Sequence, residues 1–178
     1  MIATRGDTLL SIARDAIRAP QDAAAPDWSE PWLRERAATF VTLRLDGELR
    51  GCIGTLEAVR LLGDDVYANA RAAAFRDPRF PPVSLMEIGA IAVEVSVLSA
   101  RTPVAALSED EALSQLRPGV DGIVLEYEGQ RATFLPQVWE SLPDPLEFLC
   151  HLRMKADLPQ RFWHPSLRLS RYTVEKFL

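Results

Sequence analysis

The amino-acid sequence predicts an α+β fold with mixed, mainly antiparallel sheets and several helices. Its 178 residues, 48% of them hydrophobic and 25% charged, are enough to bury a sizeable core. Two alternating segments, 39–54 and 121–135, each contain a turn signal and are predicted to be β-hairpins. Helical and extended segments follow one another without the regular alternation that a doubly wound parallel sheet requires.

The first two helices are predicted from apolar spacing and from the residues at their ends. Residues 7–18 carry apolar side chains on one helical face, and Asp7 is the predicted N-cap. The proline-containing stretch 20–32 is predicted to be an irregular surface connection, with a lid as the alternative. A second helix, 63–76, is predicted to stop at Asp77 because the residue before a proline is disfavoured in helical geometry.

The rest of the chain contains further helices and strands. Ser108 and Glu111 form a predicted capping box for a short helix, and a longer helix is predicted over 145–156. The segments 91–98 and 167–174 alternate apolar and polar residues, as half-buried strands do. The second of these segments is predicted to be a single strand that closes the chain.

The first hairpin, with its turn signal at 46–47, can form in two registers. A two-residue turn would place Arg50 and Cys52 on the apolar face. We favour a three-residue loop, because it sorts apolar and polar side chains more cleanly and sets Arg44 opposite Glu48. The polar face then carries five residues: Thr42, Arg44, Glu48, Arg50 and Cys52.

The second hairpin is predicted to turn at Gly129-Gln130, because glycine suits the first position of a type II′ turn. Glu128 then faces Arg131, which pairs opposite charges across the strands. The apolar side chains of the two strands share the other face: Ile123, Leu125, Tyr127, Ala132 and Phe134.

The charge and cysteine content argue against several classes of protein. A net charge of −5 disfavours a surface that coats nucleic acid. Two cysteines do not make a disulfide framework, and no C-x-x-C or His-x-x-x-His pair supports a zinc site. The apolar runs are too short to cross a bilayer, and the N-terminal residues lack a signal-peptide core. We therefore expect a cytoplasmic protein with no membrane segment, metal or cofactor.

Cys52 is the best candidate for a nucleophile. Arg50 lies two residues away on the same strand face, roughly 7 Å between α-carbons, and its charge would favour the thiolate. Gly51 and Gly54 allow another backbone or a ligand to approach closely. The alternative is a cysteine that is simply buried as a small apolar residue, since no histidine base is fixed nearby by the local sequence.

Residues 77–82, Asp-Pro-Arg-Phe-Pro-Pro, form a second constrained segment. The prolines restrict the backbone, Phe80 offers an anchor, and Arg79 offers a planar fork for a carboxylate or phosphate. The alternative is a stiff connector in which Phe80 fills the core and Arg79 pairs with Asp77 or another acid.

Several motifs, spread over nearly the whole chain, are distinctive in combination. They are LRGCIG at 49–54, NARAAAF at 69–75, DPRFPP at 77–82, DGI at 121–123, FLPQV at 134–138, KA at 155–156 and FW at 162–163. In these motifs the chain resembles the AMMECR domain family, whose bacterial and archaeal members are called AmmeMemoRadiSam system protein A.

The resemblance implies a single AMMECR-type domain over residues 1–178, one compact unit with a larger and a smaller lobe. It also implies association with a Memo-like protein and a radical S-adenosylmethionine enzyme, but it implies no particular reaction. Three positions depart from the family pattern. Asp121 stands where many relatives carry histidine, Arg153 where some carry cysteine, and Asp157 where glycine is common, so a redox pair between two cysteines is not supported.

Three functions remain to be compared. The first is a partner or substrate-presenting subunit of the Memo-like and radical enzymes in a modification pathway. The alternative is a small enzyme with Cys52 as nucleophile and two arginines holding a small anionic substrate. Nucleic-acid binding through the arginines is disfavoured by the acidic charge. The predicted binding residues are Arg44, Arg50, Gly51, Gly54, Arg79 and Phe80.

Overall fold

The computed structural model describes residues 4–20 and 22–178. Residues 1–3, which belong to the segment without a signal core, and Gln21, in the predicted connection, lie outside the described residues. The chain forms two compact units. The first runs to Leu98 and includes Glu175–Leu178, and the second is Ser99–Val174.

The predicted α+β class is confirmed by two antiparallel sheets and five helices among the described residues. The helices are α1 (Arg5–Arg18), α2 (Leu62–Phe75), α3 (Leu85–Ile88), α4 (Glu109–Gln115) and α5 (Pro145–Lys155). The strands are β1 (Ala38–Leu45), β2 (Glu48–Gly54), β3 (Ala92–Leu98), β4 (Thr102–Pro103), β5 (Gly122–Tyr127), β6 (Gln130–Phe134), β7 (Arg168–Tyr172) and β8 (Val174–Phe177). None of these helices is both long and apolar enough to cross a bilayer.

The first unit contains a four-stranded sheet in the order β2-β1-β3-β8. Helices α1 and α2 contact each other and pack on the sheet, which puts the apolar face of each element into one core. This core includes fully buried side chains from both helices and from the two central strands: Leu9, Val41, Leu43, Val66 and Val95.

Two helix starts differ from the prediction in their capping hydrogen bonds. Thr4, not Asp7, is the N-cap of α1: its Oγ1 accepts from the backbone N–H of Asp7, and the Asp7 carboxylate accepts from the N–H of Thr4. The Thr4 hydroxyl and the Thr4 N–H both donate to the Asp7 carboxylate, and these two hydrogen bonds lower the pKa of Asp7. At α4, Ser108 caps the Glu111 N–H as predicted, but the Glu111 carboxylate bonds the N–H of Leu107 instead of completing the box.

The predicted turn of the first hairpin is wrong. Asp46 and Gly47 both have positive φ, 52° and 85°, so the turn contains two residues and belongs to the primed class. Arg44 consequently lies opposite Leu49, not opposite Glu48. The primed turn is favoured because its twist matches that of the flanking strands.

A β-bulge restores the predicted faces further along the same hairpin. The register shifts between Leu43 and Arg44, and Arg50 is the extra residue on β2. Thr42 therefore lies opposite Cys52. The three-residue loop would have put both residues on this same face, but with Thr42 opposite Arg50. The hairpin thus has one extra residue, as the three-residue loop predicted, but this residue is Arg50 within β2 and not a residue of the turn.

The second unit contains a sheet in the order β4-β7-β5-β6, with α5 packed against β6. Trp139 stacks on Phe148 of α5 with their ring centroids 3.7 Å apart. The core of this unit includes five fully buried side chains: Ile123, Leu125, Phe148, Leu149 and Leu152.

The predicted turn of the second hairpin is also wrong, by one residue. Glu128 and Gly129 have positive φ, 45° and 88°, and form the turn in place of Gly129-Gln130. Glu126, not Glu128, faces Arg131. Since every partner shifts by two residues, the predicted apolar face is retained.

The strand predicted over 167–174 is two strands. It breaks at Thr173, and β7 joins the sheet of the second unit while β8 joins that of the first. Alternation could not reveal the break, because each part keeps a two-residue period in its own sheet.

Candidate functional site

Cys52 lies on β2, the edge strand of the first unit's sheet, and its side chain is half-buried. Thr42 lies directly opposite on β1, and its Oγ1 is 3.3 Å from the Cys52 Sγ. Close side chains of this kind mark a pair whose backbone groups point away from each other. The N–H and C=O of Cys52 therefore face the open edge of the sheet.

Asp77 and Arg79 satisfy that edge at Cys52. The Cys52 N–H donates to Asp77 Oδ2 at 2.9 Å, and Arg79 Nη2 donates to the Cys52 carbonyl oxygen at 3.1 Å. The two side chains supply one acceptor and one donor, as a neighbouring strand would. This arrangement protects the edge strand against pairing with another chain.

The same two residues form a bidentate ion pair. Arg79 Nε is 3.0 Å from Asp77 Oδ1, and Nη2 is 2.7 Å from Oδ2. The hydrogen bonds from Arg79, supported by that from the Cys52 backbone, hold the pKa of Asp77 well below its usual range. Asp77 is buried, whereas 54% of the Arg79 side chain is exposed, with its guanidinium over the half-buried Phe80 ring.

Arg50 connects β2 to the chain that follows residue 80. Its Nε and Nη2 bind the two Glu87 carboxylate oxygens at 2.7 and 3.2 Å, and its Nη1 donates to the Pro81 carbonyl at 2.9 Å. Nη2 also reaches the Pro82 carbonyl. Only 12% of the Arg50 side chain is exposed. The Arg50 hydrogen bonds, together with those from Ser84, lower the pKa of Glu87 to about 2.

The chain held by Arg50 presents an exposed apolar surface, which we call the proline ridge: Pro81, Pro82, Leu85 and Met86. Leu85 and Met86 on α3 are 89% and 91% exposed. Val83, which lies between the prolines and α3, is buried, and its N–H donates to the Ala74 carbonyl at 2.8 Å. The ridge is thus fixed from below while its large apolar side chains face solvent.

The two predicted binding glycines are required by packing. A Cβ on Gly51 would overlap the Ala73 carbonyl oxygen of α2, and a Cβ on Gly54 would overlap the Phe40 ring. The close approach permitted at these positions is therefore made by this chain itself. The remaining predicted arginine, Arg44, is paired with Glu94 at 2.8 Å.

Comparisons with known proteins show the family of the chain. The sequence profile of the AMMECR1 family matches residues 10–177. The chain belongs to the AMMECR1 family. A protein of Methanothermobacter thermautotrophicus is 42% identical over 97% of this chain and 93% of its own length, and one of Thermotoga maritima is 39% identical over 85% and 84%.

A crystal structure of the same fold is also known. The uncharacterized protein PH0010 from Pyrococcus horikoshii matches with a TM-score of 0.84 and 31% sequence identity, over 96% of this chain and 89% of that one. The likeness spans both units of the AMMECR1 chain. It is consistent with the α+β architecture described above.

Two departures from the AMMECR pattern have structural roles in the second unit. Asp121 is fully buried and accepts from the backbone N–H, Nε and Nη2 of Arg117. Arg153 is equally buried, bound to the Gln160 carbonyl and 2.7 Å from Glu109. Both side chains bind groups of their own unit.

Asp157, the third departure, has a φ of 58° directly after α5. Glycine is favoured at such a position because it has no Cβ to clash in the left-handed region. The glycine that the family resemblance implies at this position would fit the backbone that this chain adopts with aspartate.

Both histidines, His151 and His164, belong to the second unit. Cys52 is therefore without a histidine base from its own unit. No group of three or more potential metal ligands comes together among the described residues. The predicted set of Cys52, Arg50 and Arg79 does cluster around β2, with each arginine bound to a carboxylate.

A buried polar cluster that was not predicted from the sequence is centred on Asp65 of α2. Asp65 is completely buried and accepts from the Thr39 N–H and hydroxyl, the Thr55 hydroxyl and Arg60 Nε, all within 2.9 Å. Asn69, one turn later on α2, donates to the Thr39 carbonyl. Two polar residues four apart on an otherwise apolar helical face were the available signal.

Proposed function

We propose that this AMMECR1-family protein is a partner or substrate-presenting subunit that acts with a Memo-like protein and a radical S-adenosylmethionine enzyme in a modification pathway. The whole chain, 1–178, acts as one AMMECR-type domain in this proposal. The observation that carries it is the proline ridge, which exposes large apolar side chains on a braced segment.

The bracing matters because ordering a flexible loop on binding costs free energy. Arg50 holds the carbonyls of Pro81 and Pro82 and the carboxylate of Glu87, which in turn accepts from the Ser84 N–H at 2.7 Å. A partner that covers the ridge meets a surface that is already ordered. Exposed apolar patches mark protein–protein interaction sites, and methionine is enriched in such interfaces.

The pairing of the arginines also supports binding of a partner over catalysis. Arg44, Arg50 and Arg79 are matched by Glu94, Glu87 and Asp77. An anionic substrate would have to displace these carboxylates before it could reach the guanidinium groups. The alternative, a small enzyme with Cys52 as nucleophile, draws its support from the half-exposed thiol and the nearby Thr42 hydroxyl.

Co-sedimentation of the purified full-length protein with the Memo-like protein and the radical enzyme tests the proposal. We expect a complex with wild type and an equal amount with Cys52→Ala, because the thiol is not needed for docking. If neither wild type nor Cys52→Ala forms a complex with the Memo-like protein or the radical enzyme, the partner role is contradicted. The cytoplasmic location stays a prediction, for which cell fractionation is the test.

Thiol labelling of the folded protein separates the alternative from the proposal. Cys150 is also half-buried and serves as the internal reference. We expect similar labelling rates for Cys52 and Cys150. A much faster reaction at Cys52 would favour the enzyme, since activated cysteines are thiolates in accessible sites.

A further inference from the structure

A small cleft in the first unit lies between the end of α1 and the segment that joins α3 to β3. Its volume is about 120 Å³. Four apolar residues, one glycine and two arginines line it: Ile17, Ile88, Ile91, Val93, Gly89, Arg14 and Arg18. The cleft is separate in its lining residues from Cys52 and from the proline ridge.

The two arginines differ from those around Cys52 in lacking a hydrogen-bonded or ion-paired partner among the described residues, although Arg14 is attracted at longer range by Asp7. Arg14 and Arg18 are exposed, and neither donates a hydrogen bond to, or forms an ion pair with, any residue in the described part of the chain. They stand one helical turn apart, where like charges repel. An anion bound between them would remove this repulsion and accept from both guanidinium groups.

The side chains on the floor of the cleft determine which chemical group is attached to the bound anion. The isoleucine and valine side chains offer no hydrogen-bonding group, so the part of the ligand that packs on them is apolar, while the arginines and the Gly89 backbone form the polar part of the lining. A cavity of roughly 150 Å³ holds a benzene molecule, and the present cleft accordingly fits an aliphatic group of about five carbons.

We propose that this cleft binds a small aliphatic carboxylate. The carboxylate lies between Arg14 and Arg18, and a short branched chain lies on the floor formed by Ile17, Ile88 and Ile91. This site is independent of the partner-docking role, because it shares no residue with the proline ridge.

Methyl NMR of isoleucine-labelled full-length protein, titrated with 4-methylpentanoate, tests the proposal. The methyl signals of Ile17, Ile88 and Ile91 should shift, with a Kd in roughly the millimolar range expected for so small a ligand. Ile123, buried in the second unit, is the internal control and should not shift. The uncharged isostere 4-methylpentanamide should bind at least about tenfold more weakly, because it cannot form charge-assisted hydrogen bonds.

Arg14→Gln and Arg18→Gln should each weaken binding by about tenfold, which corresponds to the loss of a charged hydrogen bond. Glutamine retains a high helix propensity, so α1 is kept. Arg161→Gln removes the same charge from an exposed site in the second unit and should leave the Kd unchanged. Absence of shifts at roughly 10 mM ligand, equal binding of acid and amide, or full binding by both α1 variants would overturn the proposal.

Discussion

One carboxylate beside each arginine near Cys52 determines whether its guanidinium group is available to bind an anion. Arg50 and Arg79 were predicted to hold an anionic substrate, and both lie beside Cys52 as the motifs indicated. Their partners, Glu87 and Asp77, already occupy the bidentate positions. The motifs predicted that these arginines lie near Cys52, and Asp77 was one of the partners expected for Arg79. The pairing of Arg50 with Glu87, 37 residues further along the chain, could not be predicted from local spacing.

Asp77 gives a prediction at this scale. Asp77→Asn should lower the free energy of unfolding by roughly 2 kcal/mol at neutral pH, because an amide cannot accept both charged hydrogen bonds from Arg79. Its pKa is lower in the folded protein than the unfolded value of about 3.9. The stabilisation is therefore fully present above that value and is lost as the pH falls through the folded pKa.

Urea unfolding of wild type and Asp77→Asn at neutral pH and at pH about 3 measures this difference. The difference in the free energy of unfolding between wild type and Asp77→Asn should be smaller at the lower pH. Asp22→Asn, at an exposed position, is the control and should change the stability little at either pH. A gap of the same size at both pH values would contradict the assigned role of Asp77.

At the scale of elements, both hairpins show what alternation can and cannot predict. The segments were right, and so were the apolar faces except at the start of β2, where Leu49 lies opposite Arg44 and Glu48 opposite Leu45. Burial of one face imposes the two-residue period. The turns were wrong, because Asp46-Gly47 and Glu128-Gly129 both adopt positive φ at two successive residues. In the first hairpin a bulge at Arg50 then restores the predicted faces from Gly51 onward, and Gly51, a glycine inside a strand, was the local signal for it.

Glu128 provides the test of the second turn. Its φ of 45° is unfavourable for glutamate and well tolerated by asparagine, which leads the first position of type I′ turns. Glu128→Asn should therefore raise the free energy of unfolding by about 0.5–1 kcal/mol, as seen by urea denaturation. Glu128→Ala, which keeps a Cβ in the same region, should give no such gain. Destabilisation by asparagine would indicate a different turn.

At the scale of the whole molecule, the motifs predicted the family and the fold class, while pairing between distant segments had to come from the structure. The final strand divides between two sheets, and Asp65 joins Thr39, Thr55 and Arg60 in a buried cluster. Neither follows from local spacing. The proline ridge, which we propose as a binding surface, is likewise fixed by Arg50 from another element, β2.

The Kd of the partner that co-sediments tests the ridge most directly. Leu85→Glu combined with Met86→Glu should weaken association at least about tenfold, because apolar anchors at the centre of an interface carry most of its binding energy. Leu107→Glu is the matched control, since Leu107 is 94% exposed in the second unit, and it should leave the Kd unchanged. An unchanged Kd in the ridge variant, or an equal loss in the Leu107 variant, would contradict the account.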